Sequence, residues 1–195
     1  MSKGAAAAER RPGGSANPPV ELVEPSLRRL PGYIAALQAG WSPDTTREVS
    51  GAQLMAIRAD AQAFIRDLAR HEGGTVALAD GTRVPRPPGR VLWIWDGDFC
   101  GTINLRFVPG SEELPPHVSG HVGYAVVPWK RNRGYARQAL RLPLPIAREL
   151  GLPRLLVTCD EDNAASRRVI AVNGGVMAGA APDPEHAGRR KLLFW

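Results

Sequence analysis

The sequence predicts a mixed α/β fold: a mostly antiparallel sheet of six or seven strands, flanked by helices. Three stretches predict it. His121 to Leu140 reads as a strand, a tight basic turn and a helix start. Val91–Trp95 and Phe99–Phe107 read as an antiparallel hairpin around Asp96-Gly97-Asp98. Ser50 to Ala69 reads as one amphipathic helix, because Leu54, Ile57, Ala61, Phe64, Ile65 and Leu68 recur at three and four. Strands and amphipathic helices in one chain bury their apolar faces by packing in layers.

Composition narrows the class. The chain has 195 residues, 44% of them hydrophobic, enough for one domain with a real core. No stretch approaches the ~20 consecutive apolar residues that span a bilayer. Ala5 to Ala8, the only apolar run near the start, is too short for a signal-peptide core. Cys100 and Cys159 sit in strand-like apolar contexts and read as reduced, buried thiols of a cytoplasmic protein. No Cys/His cluster has zinc spacing, so no metal site is expected. The net charge of +6 suits a polyanionic partner. Its arginines are scattered apart from Arg131/Arg133/Arg137 and Arg189-Arg190-Lys191, so charge alone does not select nucleic acid.

Residues 1–19 hold Ala, Gly, Pro and charges without a periodic apolar face, and predict a disordered tail before a domain over 20–195. Val20–Glu24 alternates as a first strand, which Pro25 closes. Ser26 reads as the cap of a short helix, Leu27 to Leu30, and Pro31 to Ala39 as another, stopped by Gly40. Thr75–Leu78 and Arg83-Val84 flank Asp80-Gly81, a hairpin signal. The helix from Gly134 to Glu149 contains Pro143 and Pro145, so a kink or break is expected in it. Arg154–Cys159 reads as a strand, and Asn163 starts a helix through Val172 that Asn173-Gly174-Gly175 ends. Val176–Ala178 and Lys191–Trp195 read as the last strands, joined by a loop over Pro182 to Arg189.

The chemistry gathers at the basic turn. Tyr124 to Val127 are aromatic, small or β-branched, as in a buried strand, and Pro128 ends it because proline cannot donate to a ladder. Gly134 stands where the backbone must come close to something, and small Ala136 follows in the first helical turn. Backbone N–H groups without helical partners and flanking guanidiniums suit a diphosphate.

Arg131-x-x-Gly134-x-Ala136 resembles the (Gln/Arg)-x-x-Gly-x-(Gly/Ala) acetyl-CoA signature of the GNAT superfamily of N-acetyltransferases. Gly101-x-Ile103-x-Leu105 is similar to the family's central hairpin, and Asn163-x-x-Ser166 to its N-x-x-S-x-x-L-Y-x-x-x-G-F segment. The resemblance implies the acyl-CoA N-acyltransferase fold, acetyl-CoA as cosubstrate, and transfer of an acetyl group to a small-molecule or peptide amine. It implies that the strands ending at Val127 and Cys159 are parallel neighbours splayed at their C-terminal ends. By alignment, Arg131, Asn132, Arg133, Gly134, Tyr135 and Ala136 hold the pyrophosphate, and backbone groups of Tyr124, Val126 and Val127 hold the pantetheine arm. The Val126 N–H is placed at the thioester carbonyl. Asn163 caps its helix, either alone or while also bonding the arm by resemblance. Ser166 contacts the arm or the pyrophosphate, and Ser166, Cys159 and water are the candidates to protonate the thiolate. The family's tyrosine falls on Ile170 and its last aromatic on Gly175.

A general base is less plain. His121 is the candidate, but strand alternation puts it on the face opposite Val122, Tyr124 and Val126, so a structural role fits it equally unless a bulge at Gly120 or Gly123 re-aims it. Asp160 and Glu161 read as solvated loop carboxylates that cap the helix of Asn163, as a water-linked base, or as a site for a cationic acceptor. Tyr33, Trp41 and Asp44 fall beside the acceptor cleft by resemblance, with Trp41 equally suited to the core. Two other classes stay open: an acyl-CoA-binding regulatory domain without turnover, and a nucleic-acid module, which lacks the aromatic-rich basic motifs of RNA-binding sheets. Dimers are common in the family.

Overall fold

The computed structural model describes residues 19–45, 47–77, 81–184 and 188–195. All of the expected tail except Pro19 lies outside the described residues, as do Asp80 of the hairpin turn and residues 185–187 of the last loop. In chain order the first half forms β1 (Glu21–Val23), α1 (Leu30–Gln38), α2 (Ser50–Ala59), α3 (Ala61–Leu68), β2 (Thr75–Ala77), β3 (Arg83–Pro85), β4 (Gly89–Trp95) and β5 (Phe99–Arg106). The second half forms β6 (Val122–Val126), α4 (Tyr135–Ala139), α5 (Pro143–Glu149), β7 (Val157–Asp160), α6 (Ala164–Val172), β8 (Met177–Pro182) and β9 (Arg190–Phe194). Seven strands make one sheet in the order β1-β4-β5-β6-β7-β9-β8. Every neighbouring pair is antiparallel except β6 and β7. The β2–β3 hairpin stands apart as its own ribbon.

The sheet divides the core in two. Residues 92 and 94 of β4 join 103 and 105 of β5 and 122 and 126 of β6 under α4, α5 and α6. On the other face Trp93, Phe99, Ala125 and Val127 pack under α1 and α2. Aromatic rings fill that second layer. Tyr33 stacks on Trp93 with centroids 5.0 Å apart, and Phe99 meets both rings edge-on at 5.2 and 5.7 Å. Such pairs add ~0.5–1.5 kcal/mol each beyond area burial. Trp41 belongs to this cluster, 5.3 Å from Phe99, which settles its place in the core.

Gly101 explains why the hairpin carries a glycine. Its φ is +145°, and a Cβ there would lie 2.1 Å from the Ala125 carbonyl of β6. The β4–β5 register also slips between Ile94 and Trp95, opposite this segment. The bulge considered at Gly123 is absent, since β5 and β6 pair without interruption from Gly101–Val126 to Leu105–Val122, and Gly120 lies before β6.

Three expected elements differ. The helix over Ser50–Ala69 is two helices, because Asp60 turns extended (φ −158°, ψ 98°) and its carboxylate accepts from the Ala63 N–H at 2.8 Å. An acidic N-cap competes with helix continuation, and here the cap wins. Leu27 to Arg29 form a turn rather than a helix. The Arg29 N–H donates to the Ser26 carbonyl, and the Ser26 hydroxyl caps nothing. The helix after the basic turn breaks as expected. α5 restarts at Pro143, whose missing N–H costs nothing at a first turn.

Candidate active site

The backbone of β6 opens a slot in the sheet. The Arg106 N–H donates to the His121 carbonyl (2.7 Å) and the Val127 N–H to the Cys100 carbonyl (3.0 Å). Antiparallel pairing alternates, so the odd residues of β6 bond β5 and the even ones face β7. β7 meets β6 only at Val122–Val157. Beyond that bridge the strands part, and the backbone groups of Tyr124 and Val126 face the gap. The Val126 carbonyl accepts from Arg131 Nε at 3.0 Å, which ties the basic turn to the slot.

The turn itself is held rigidly. After Val127 a short 3-10 turn, Pro128–Lys130, leads into Asn132 and Gly134, both left-handed with φ of 58° and 81°. A Cβ at Gly134 would meet nothing within 4 Å, so the outer side of the turn is open. Arg131, Asn132, Arg133 and Gly134 are exposed there, and Ala136 is half-buried. Tyr135 differs from them. Its ring is buried, and its hydroxyl donates to Asp96 Oδ2 at 2.6 Å, so only its backbone faces the turn. Lys130 Nζ donates to Asp96 Oδ1 at 2.8 Å and approaches Cys100 Sγ at 3.3 Å. Burial pushes the Asp96 carboxyl up, but hydrogen bonds from Lys130 and Tyr135 outweigh it and hold the pKa at about 2. Burial pushes the Cys100 thiol up to about 12.

Below the slot lies a cleft of about 750 Å³. Thr102, Asn104 and Arg106 share one face of β5 and form its floor with Gly123 of β6. Its walls come from Tyr33, Asp44 and Gln53 on one side and from Cys159, Asn163 and Ser166 on the other. Asn163 caps α6 by accepting from the Ser166 N–H at 2.9 Å, which fixes both residues at the lip. The Tyr124 side chain reaches the same lip. Its hydroxyl is buried beside that of Ser166. Burial raises its pKa, an effect that the nearby Ser166 hydroxyl partly offsets. Burial likewise raises the Cys159 thiol, and both cysteines are free.

His121 is not among the residues that line this cleft. It is fully buried, its ring Nδ1 accepts from the Leu156 N–H at 2.9 Å, and its backbone N–H donates to the Leu156 carbonyl at 2.8 Å. That exchange ties the start of β6 to the segment before β7, and it explains why β7 begins at Val157 rather than Arg154. Of the two roles expected for His121, base and structural residue, this geometry favours the structural one. The cleft's imidazole is His117, whose Nε2 is buried with no partner. The lining carboxylates are both ion-paired: Asp44 with Arg47 at 3.0 Å, and Asp160 with Lys191 at 2.6 Å. Ile170 is buried in the core, and a Cβ at Gly175 would lie 2.4 Å from Ile170 Cγ2. These two positions therefore fit each other and leave no room for the tyrosine and aromatic of the family segment.

Asp96, Tyr124's hydroxyl and His117 carry no sequence signal of their own. Asp96 reads as a turn residue and meets Tyr135 39 positions away. Alternation along β6, with the alignment on the basic turn, was the one clue that could have aimed Tyr124 at the lip.

Comparison with known proteins agrees with this architecture. No curated protein matches the chain in sequence. Among solved structures, the microcin self-immunity acetyltransferase MccE, in complex with acetyl-CoA and AMP, superposes with a TM-score of 0.59 at 12% identity, over 92% of each chain. RimL, a ribosomal alpha-N-protein acetyltransferase, in complex with coenzyme A, gives 0.57 at 13% identity, over 92% of this chain and 94% of the other. An acetyltransferase from Salmonella typhimurium that modifies the N-terminal serine of a 50S ribosomal subunit protein gives 0.54 at 13%, over 90% and 93%. These identities speak for the fold. The sequence model of the acetyltransferase (GNAT) domain matches residues 28–176, most of the chain, and the chain belongs to the GNAT family of acetyltransferases.

Proposed function

We propose that this chain transfers the acetyl group of acetyl-CoA to an amine by direct attack within a ternary complex. The observation that carries the reading is the slot between β6 and β7, with the backbone of Tyr124 and the N–H of Val126 facing it and the basic turn, tied to the Val126 carbonyl, at its open end. An amide-bearing pantetheine arm fits the slot as a substitute strand, and a diphosphate fits the exposed N–H and guanidinium groups of residues 131–136. The acyl end then points to the cleft.

The chemistry asks for little beyond alignment. The amine nitrogen attacks the thioester carbonyl carbon, the C–N bond forms, and the C–S bond breaks. The Val126 N–H polarises the carbonyl. His117 takes the proton that the amine sheds. Tyr124 and Ser166 lie at the lip where the thiolate departs, with Tyr124's phenol the donor and Ser166 chiefly a contact to the arm. Holding the two reactants together supplies several kcal/mol.

Calorimetry with coenzyme A, together with thiol release from acetyl-CoA over a panel of amines, tests the reading. Gly134→Glu is expected to abolish binding. Its side chain meets open space, so the added cost is the ~1–2 kcal/mol of a left-handed non-glycine residue, and it places a negative charge in the phosphate turn. Unchanged affinity in that folded variant rejects the site. His117→Gln is expected to lower kcat/KM by ~100-fold or more. An unchanged kcat/KM rejects His117.

The ion pairing of both lining carboxylates favours a second reading, an acyl-CoA-binding domain without turnover. Tight coenzyme A binding with no thiol release for any amine selects it.

A further inference from the structure

The acceptor cleft is lined by Arg47, Arg70, Arg86, Arg90, Arg106 and Lys191, against only Asp44 and Asp160 among the described residues. Both carboxylates are already matched, by Arg47 and Lys191. Arg70 pairs outward with Asp67 at 2.8 Å. Arg86 and Arg90 are half-buried and join no ion pair among the described residues. Arg86 spends one Nη2 contact on the Arg70 carbonyl, at 2.6 Å, which aims its guanidinium without neutralising it. Arg106 lies on the cleft floor beside β6. Its Nη2 lies 3.0 Å from where a Cβ on Gly123 would be, one residue from Tyr124 and the slot. On the same β5 face, Asn104 sits opposite Gly123 with its Oδ1 buried and unpartnered.

We propose that the acceptor is an amine carrying an anionic group, a carboxylate or a phosphate, a few bonds from its nitrogen. This rests on the reading of the cleft as the acceptor site. Asn104 Oδ1 accepts from the amine N–H, and Arg106, Arg86 and Arg90 take the anion. A concave, half-buried set of guanidiniums focuses positive potential and forms charge-assisted bonds stronger than neutral ones. The same potential disfavours an ammonium ion beside it, so the bound amine is driven toward the neutral, nucleophilic form. A bare alkylammonium meets only repulsion, because no unpaired carboxylate receives it.

The test uses matched amines with the whole chain. Glycine against glycinamide and O-phosphoethanolamine against ethanolamine are compared by thiol release. The same four compounds are titrated by calorimetry into the coenzyme A-saturated protein. The expected result is at least ~10-fold higher kcat/KM, or tighter binding, for an anion-bearing member, weakened by salt. Which pair shows it tells carboxylate from phosphate. In Arg86→Gln/Arg90→Gln the preference is expected to collapse toward one while the KM for acetyl-CoA stays. Equal use or equal binding of charged and neutral members overturns the proposal, as does a double variant that keeps the preference. Failure of the acetyl-transfer reading looks different. It shows as absent coenzyme A binding, or as binding with no thiol release for any amine, in which case the calorimetric preference still decides this inference.

Discussion

Tyr124 and Ser166 show how one position serves two purposes. Ser166's N–H is committed to the Asn163 cap, so the backbone there is fixed before any ligand arrives. Its hydroxyl lies near a phenol that burial has made a weaker acid. A phenol with a raised pKa stays protonated near neutral pH, so it meets the departing thiolate as a hydrogen-bond donor, and the thiolate takes its proton in the end from solvent. Ser166→Ala is expected to raise the KM for acetyl-CoA a few-fold with kcat within ~10-fold of the parent, and Tyr124→Phe to lower kcat more than it changes KM. Separate kcat and KM values for the two variants check the assignment. A ~100-fold kcat loss in Ser166→Ala at unchanged KM would hand the acid role to the serine.

At the scale of elements, Asp96 joins three pieces: the β4–β5 turn that carries it, the 3-10 turn through Lys130, and α4 through Tyr135. The clamp brackets Arg131–Gly134 from both sides, so the basic turn keeps its left-handed residues in place. Asp96→Asn is expected to raise the KM for acetyl-CoA about tenfold with little change in kcat, since the carboxylate shapes the turn without reaching the acyl group. It also alters acid stability. The native pKa of about 2 lies below the ordinary 3.8, so this stabilisation is complete above about pH 4 and is lost as pH falls through about 2. Acid-unfolding curves followed by near-UV circular dichroism should show less sensitivity between those values in the variant. Parallel curves for parent and variant would detach the clamp from acid stability.

At the scale of the molecule, His121 belongs to the frame that keeps β6 and β7 adjacent while their ends part. Burial, and then the Arg106 charge, lowers its pKa. A histidine buried in the neutral form binds fewer protons folded than unfolded. Its contribution is therefore full above the ordinary value of 6.5 and declines as pH falls below it. His121→Ala is expected to cost ~2–4 kcal/mol, because it opens a cavity and leaves the Leu156 N–H unpaired. His121→Asn, whose Oδ1 can accept that N–H, should recover part of the loss. Thermal denaturation at pH 8 and pH 5.5 reads both effects. A variant that loses kcat at full stability would return His121 to the chemistry.

The sequence alone determined what depends on neighbours along the chain. Period-two and helical patterns placed the sheet strands and the major helices, Pro143 predicted the break after α4, and Arg131-x-x-Gly134-x-Ala136 marked the turn, because dihedral preference and side-chain periodicity are local. Even so, Asp60's choice of cap over helix was missed. What only the tertiary structure decided depends on distant residues meeting. The clamp at Asp96, the burial of His121 against Leu156, the aim of Tyr124 and the lining of one cleft by Arg86, Arg90, Arg106 and Asn104 all require the β4–β5–β6–β7 register. That register is set by packing across the sheet, where Gly101 lets β6 close in at Ala125 and the single Val122–Val157 bridge lets β7 swing away.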